Sequence, residues 1–167
     1  MTAPMVTGAM CELVVDEHYR DALRCAIQSA TRRCLVSMFI IDLKSRCTIN
    51  CVGEVIDDLE EAQWRGADVR VLIGGSRSTF AIAEAAAVAQ DQLSARGIPN
   101  RWLTSIKGVR GSHAKVVIAD ETVMLGSHNW SPGAFFRQTQ DSIRIVSLPL
   151  AEYFAGQFEQ QWGADHA

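Results

Sequence analysis

The sequence predicts an α/β fold, a mixed β-sheet flanked by helices on both faces, in one domain over residues 1–167. Three observations predict it. Short apolar runs rich in strand formers alternate with longer stretches of helical periodicity. Two such runs, His113–Ala119 and Val123–Ser127, are joined by only Asp120-Glu121-Thr122, which is hairpin spacing and makes the sheet mixed. The 167 residues are 48% apolar and 21% charged, the size and composition of one globular core, which excludes disordered and fibrous classes.

Taken in order, Cys11–Val15 is a short apolar strand. Asp16 is the expected N-cap of a helix reaching about Arg33, with Ala22, Leu23, Ala26, Ile27 and Ala30 at helical spacing. Cys34–Ile41 is an apolar run broken only by Ser37 and predicts a buried strand. Val52, Val55, Ile56, Leu59 and Ala62 form one stripe of a helix that stops at Gly66. Asp68–Ile73 is a second buried strand, followed by the loop Gly74-Gly75-Ser76-Arg77. The Ala-rich Phe80–Arg96 is a helix ended by Gly97 and Pro99. Asn100–Thr104 is a strand, Ser105–Ser112 a basic loop, Ser142–Val146 the last strand, and Pro149 opens a helix to about Trp162.

The longest nearly unbroken apolar run, eight residues, falls far short of the roughly 20 a bilayer span needs. Met1 to Met10 holds no Lys or Arg, so a secretory signal is not expected. Five cysteines cannot all pair, and reduced thiols in a cytoplasmic protein are the expectation; Cys47 and Cys51 lack the further close Cys or His pair of a zinc site.

Net charge is −3, which alone argues against a polyanionic partner. Its distribution argues the other way. Between Gln92 and Gln140 six basic residues face two acids, and the surplus belongs to one face that receives an anion or to a solvated surface.

The chemistry concentrates in His113-Ala-Lys115-Val-Val-Ile-Ala-Asp120 and Gly126-Ser127-His128-Asn129. On a strand His113 and Lys115 project from one face, so a titratable imidazole sits beside a fixed cation. Ser127 and Asn129 add neutral donors. Such a set suits a tetrahedral oxyanion, above all a phosphate; the bland alternative is a hairpin with its polar side chains in water.

These residues closely resemble the phospholipase D superfamily, whose signature is H-x-K-x4-D followed by G-S-x-N. His113, Lys115 and Asp120 match its first part, and Gly126, Ser127 and Asn129 its second. At about 5% usage each, six such matches coincide by chance roughly once in 10⁸ positions. Two departures stand out. Five residues separate Asp120 from Gly126 where members usually have six, so the turn is tighter and Ser127 and Asn129 must regain position through it. Where many members carry an E-N pair that orients the catalytic histidine, this chain has Asp141-Ser142.

The resemblance implies a metal-independent phosphodiesterase with no cofactor. In-line displacement needs a second group opposite the nucleophile, yet the chain has one His-x-Lys unit; single-motif members of the family are homodimers, and the same is implied here. His113 of one subunit is then the nucleophile, forming a phosphohistidine, and the partner's His113 the general acid and base. Lys115 and Asn129 hold phosphoryl oxygens with help from Ser127, and Asp141 orients His113. Asp120 belongs to the signature, with a structural role favoured by its place at the turn. Lys107 and Arg110, in the basic loop just before the motif, could track a polyanionic backbone, which favours DNA or RNA as substrate. Trp102 and Trp130 could stack on bases or belong to the core, and Gly74–Arg77 could be an anion nest or a turn with a Ser cap. A lipid hydrolase or transphosphatidylase and a catalytically silent nucleic-acid-binding domain are the alternatives, but no stable membrane association is expected.

Overall fold

The computed structural model describes residues 5–44, 50–103 and 111–163. Its strands are β1 (Met10–Val15), β2 (Arg33–Met38), β3 (Asp68–Ile73), β4 (Asn100–Trp102), β5 (Lys115–Ala119), β6 (Thr122–Gly126) and β7 (Asp141–Val146). Its helices are α1 (His18–Ser29), α2 (Cys51–Trp64), α3 (Phe80–Ala95), α4 (Pro132–Phe136) and α5 (Leu148–Gly163). The seven strands form one sheet in the order β1-β7-β6-β5-β2-β3-β4. β2, β3 and β4 run parallel, because a helix connects each to the next, and the remaining pairs are antiparallel. The sheet is mixed and has helices on both faces, as expected.

Strand alternation divides the core in two. Cys34, Val36, Met38, Val71, Ile73, Val117 and Met124 point toward α1, α2 and α3, where they meet Leu23, Ile27, Val55, Leu59 and Leu93. Leu35, Leu72, Ile118 and Val123 point to the other face and pack under Ala151, Ala155 and Phe158 of α5. Each fully buried aliphatic side chain contributes about 1.5–3 kcal/mol. The α1–α2 seam is tied by the buried Asp58, which accepts from Arg24 Nε at 2.6 Å and from Gln28 Nε2 at 2.8 Å.

Four expectations are corrected and one element is added: β5 opens at Lys115, so His113 precedes the strand that was expected to carry it. Asp16 does not cap α1. It adopts a left-handed φ of 49°, and its Oδ1 accepts from Gln140 N at 2.9 Å, tying the exit of β1 to the entry of β7. The helix starts at His18 and ends at Ser29, four residues before Arg33, because Arg33 opens β2. The buried strand stops at Met38 rather than Ile41. The short α4 was not anticipated, although Ser131-Pro132 is an N-cap followed by proline at N1; Ser131 Oγ accepts from Ala134 N at 3.1 Å. Cys47 lies outside the described residues, and with it any pairing with the buried Cys51. Burial pushes the Cys34 thiol up to about 12.

Candidate active site

The ends of β2, β3 and β6 and the starts of β5 and β7 meet at one end of the sheet. Met38 pairs with Lys115, so the chain leaving β2 runs beside the chain entering β5. That register places Phe39 against His113, with ring centroids 4.1 Å apart. Lys115 Nζ lies 5.0 Å from the centroid of the same Phe39 ring, 3.3 Å from His113 Nδ1 and 3.1 Å from the His113 carbonyl oxygen. An ammonium only donates, so Nδ1 is the acceptor, and a neutral His113 ring carries its proton on Nε2. A ring so held is a proton donor. With Lys115 turned away and the proton on Nδ1 instead, Nε2 would carry a free lone pair. Burial lowers the affinity of Lys115 for its proton. His113 itself is exposed.

The second half of the motif arrives by a different route. Lys115 shares its face of the sheet with Val117, and in continued register Ser127 would fall on the opposite face, that of Val123. The hairpin turn has only two residues, since Ala119 pairs with Thr122, so no adjustment occurs there. Instead the chain leaves β6 after Gly126. Trp130 N donates to Ile40 O at 3.0 Å and Asp42 N to Trp130 O at 2.7 Å, a parallel bridge that sets Asn129 alongside the residue after Phe39. Gly126 permits the departure: a Cβ there would stand 2.4 Å from Asp141 O. No hydrogen bond joins Ser127 or Asn129 to His113 or Lys115 among the described residues. Asn129 Oδ1 is buried and unpartnered.

Ser127 is fixed by β7. Its Oγ accepts from Asp141 N at 3.0 Å and also contacts the side-chain oxygen of Gln140. Gln140 is the residue the sequence reading missed: it is the neighbour of Asp141, and only the pairing of β6 with β7 brings it to Ser127. The Asp141 carboxylate, expected to orient His113, makes no hydrogen bond to it; its negative charge instead favours protonation of His128. Ser142, in the second position of the expected pair, is buried with its Oγ 2.8 Å from His128 Nδ1.

His128 is buried on the opposite side of the chain from Ser127, as the alternation implies. It stacks on Tyr19 at 4.1 Å and 6°, and its Nε2 lies 3.0 Å from Asp16 O. A carbonyl only accepts, so Nε2 carries the proton and Ser142 donates to Nδ1. Burial pulls the pKa of His128 below its ordinary value.

Asp120 is tied into the fold away from His113 and Lys115. It sits at the far end of the hairpin, about 17 Å of strand from Lys115, with a left-handed φ of 52°. Its carboxylate accepts from Thr31 N at 2.9 Å, Thr31 Oγ1 at 3.1 Å, Arg32 N at 2.9 Å and Arg33 N at 3.0 Å. Burial alone would raise its pKa, but these four donors outweigh it and lower it. Trp130 is fully buried core, and Trp102 is half-buried beneath the Arg77 guanidinium. The residue preceding α3 is Thr79, not a serine, and its side chain makes no capping bond. Lys107 and Arg110 lie outside the described residues. Among the described residues no group of three or more His, Cys, Asp or Glu could hold a metal ion, and no helix is long and apolar enough to cross a membrane.

A mixed sheet that carries His-x-Lys and Gly-Ser-x-Asn at one end is the architecture of phospholipase D-like phosphodiesterases. Residues 23–162 match the family described as cardiolipin synthase, PLD-like domain, and the chain belongs to the phospholipase D superfamily. No curated protein matches it by sequence. Among solved structures it is similar to Nuc from Salmonella typhimurium, a phospholipase D family member, at 23% identity and a TM-score of 0.74, covering 92% of this chain and 94% of that one. NucT from Helicobacter pylori is similar at 16% identity and 0.67, covering 92% and 96%. Phosphatidylserine synthase from Haemophilus influenzae matches at 17% and 0.71, with 89% of this chain covering 36% of that one.

Proposed function

We propose that this protein is a metal-independent phosphodiesterase that hydrolyses DNA or RNA at a site shared by two copies of the chain. The observation that carries the reading is the exposed His113 imidazole, packed against Phe39 with the Lys115 ammonium 3.3 Å away. One ring nitrogen of His113 attacks phosphorus. The bond to the leaving oxygen breaks, and the partner subunit's His113 protonates that oxygen. The same partner imidazole then takes a proton from water, hydroxide attacks the phosphohistidine, and the P–N bond breaks to restore His113. Lys115 and Asn129 hold the phosphoryl oxygens, the latter by donating from its side-chain amide nitrogen. Ser127 supports that segment. The Asp141 carboxylate, free of hydrogen bonds among the described residues, accepts a hydrogen bond from Nδ1–H when Lys115 moves to phosphate.

The need for an opposed histidine supports the homodimer, because the chain holds one His-x-Lys unit. So does β1: Leu13 is 77% exposed, and Val15 stands opposite Asp141, so an apolar strip reaches the site's end of the sheet. Nucleic acid is favoured by the basic stretch around the motif, which includes Lys107 and Arg110. The likeness to phosphatidylserine synthase favours a second reading, transfer or hydrolysis at a lipid phosphodiester.

The test is cleavage of a plasmid and a single-stranded oligonucleotide in excess EDTA. Cleavage lost in His113→Ala, with an acid-labile phosphohistidine trapped in the wild type, is the expected result. Cleavage that survives in His113→Ala overturns it. Headgroup release from liposomes without nucleic-acid cleavage establishes the lipid reading, and full activity in a strict monomer removes the shared site.

A further inference from the structure

Cations away from the site are mostly neutralised where they stand: Arg24 by Asp58, Arg33 by Glu152, Arg70 by Asp68 and Glu159, and Arg96 by Asp57. Arg77 differs. It is exposed, it makes no ion pair or hydrogen bond among the described residues, and its guanidinium carbon lies 5.3 Å from the centroid of Trp102. A cation seated on a ring is held in place while its charge and its five donors stay available.

The seat is built into the rim of the active site. At the exit of β3 a Cβ on Gly74 would stand 2.3 Å from Ser112 O and 2.9 Å from Phe39 Cα, so only glycine lets this strand end press against the residue before His113. Gly75 follows with a φ of +114°, and a Cβ there would lie 3.4 Å from Trp102 Nε1. Trp102 Nε1 is itself buried without an acceptor, so the indole is placed by packing against Gly75. Phe39 is therefore common ground: it carries His113 and Lys115, and it abuts the glycines that lead to Arg77 two residues on. Two cations thus sit on rings, Lys115 on Phe39 and Arg77 on Trp102, and the Gly74-Gly75 turn packed on Phe39 links the two seats.

From this arrangement, which rests on the nuclease reading above, we infer that Arg77 grips a phosphate neighbouring the scissile one, so that the site selects a nucleic acid strand over an isolated phosphodiester. Lys115 and Asn129 suffice for the reacting phosphate. A second fork at the rim has work only where the substrate repeats its charge, and guanidinium binds phosphate bidentately.

The test compares a single-stranded oligonucleotide with bis(p-nitrophenyl) phosphate, a diester with no neighbouring phosphate. In Arg77→Ala the ratio of kcat/KM on the oligonucleotide to that on the small diester falls about 10-fold, mostly through KM, and Arg77→Lys recovers part of it. The slope of log oligonucleotide affinity against log salt falls by about 0.7, the share of one phosphate on a single strand. A ratio unchanged in Arg77→Ala, with an unchanged salt slope, overturns the assignment while leaving the nuclease reading intact. Wild-type protein that cleaves neither substrate overturns the nuclease reading, and Arg77 is then judged on the salt slope of oligonucleotide binding alone, where no change sinks it.

Discussion

The ring of Phe39 lies 4.1 Å from the imidazole of His113, tilted by 42°, and the same ring carries the Lys115 ammonium. One aromatic side chain thus positions the two central groups of the motif. Phe39→Ala removes that platform while leaving both groups present. The expected result is a loss of about 10-fold or more in single-turnover rate, with a cost of roughly 1–2 kcal/mol in stability because the ring is only half-buried. Phe39→Tyr keeps the ring and most of the rate. An unchanged rate in Phe39→Ala excludes the ring as a positioning element.

Asp120 anchors the hairpin to the entry of β2 through four hydrogen bonds. Its folded pKa is lowered from the ordinary 3.8. The unfolded chain therefore binds a proton first as acid is added, so this contribution is complete above about pH 3.8 and lost as pH falls through the lower, folded value. Asp120→Asn tolerates the left-handed φ but gives up the charge. Chemical unfolding at pH 7 should show a loss of about 2 kcal/mol, and acid unfolding should begin at a pH no lower than in wild type. Catalysis per folded molecule should stay within a few-fold; a 100-fold loss would return Asp120 to the chemistry.

Much of this fold is legible in local pattern. Asp68–Ile73 is a β-branched run between Gly66 and Gly74, and the structure reproduces it residue for residue. Local pattern failed where a side chain is spent on a distant segment. Asp16 has the chemistry of an N-cap, yet its carboxylate is taken by Gln140, and nothing in the neighbourhood of either residue announces that contact. Phe39 reads as the middle of an apolar strand, and only the register of Met38 with Lys115 turns it into part of the site. Ser127 and Gln140 meet by the same kind of long-range pairing. The motif names the reacting groups; sheet register decides what supports them.

Asp141 accepts nothing on its carboxylate among the described residues, while its main chain fixes Ser127. In the proposed mechanism it accepts a hydrogen bond from Nδ1–H of His113 only when Lys115 turns to phosphate. Asp141→Asn should then cut kcat about 10–100-fold with little change in KM. A kcat within twofold of wild type removes Asp141 from the mechanism and directs attention to Gln140, whose substitution by Glu becomes the informative variant.

His128 connects the strained exit of β1 to the strand ends that carry the motif. Its Nε2 donates to Asp16 O at 3.0 Å, its Nδ1 accepts from Ser142 at 2.8 Å, and its ring stacks on Tyr19. Protonation would force two donors onto this pair of partners, displacing the Ser142 proton, inside the core. The folded pKa is accordingly below the ordinary 6.5, with burial the chief cause, opposed by the Asp16 carbonyl and by the charges of Asp16 and Asp141. Below pH 6.5 the unfolded chain takes up a proton that the folded chain resists, so stability is complete above that value and declines as pH falls toward the folded pKa. His128→Phe keeps the stack but strands Ser142 Oγ and Asp16 O. At pH 8 it should be less stable by about 1–3 kcal/mol, and the gap to wild type should narrow by pH 5.5 because the variant no longer has this group to titrate. Urea unfolding at the two pH values reads both effects. A gap that stays constant or widens on acidification shows that His128 is not the group whose titration weakens the fold.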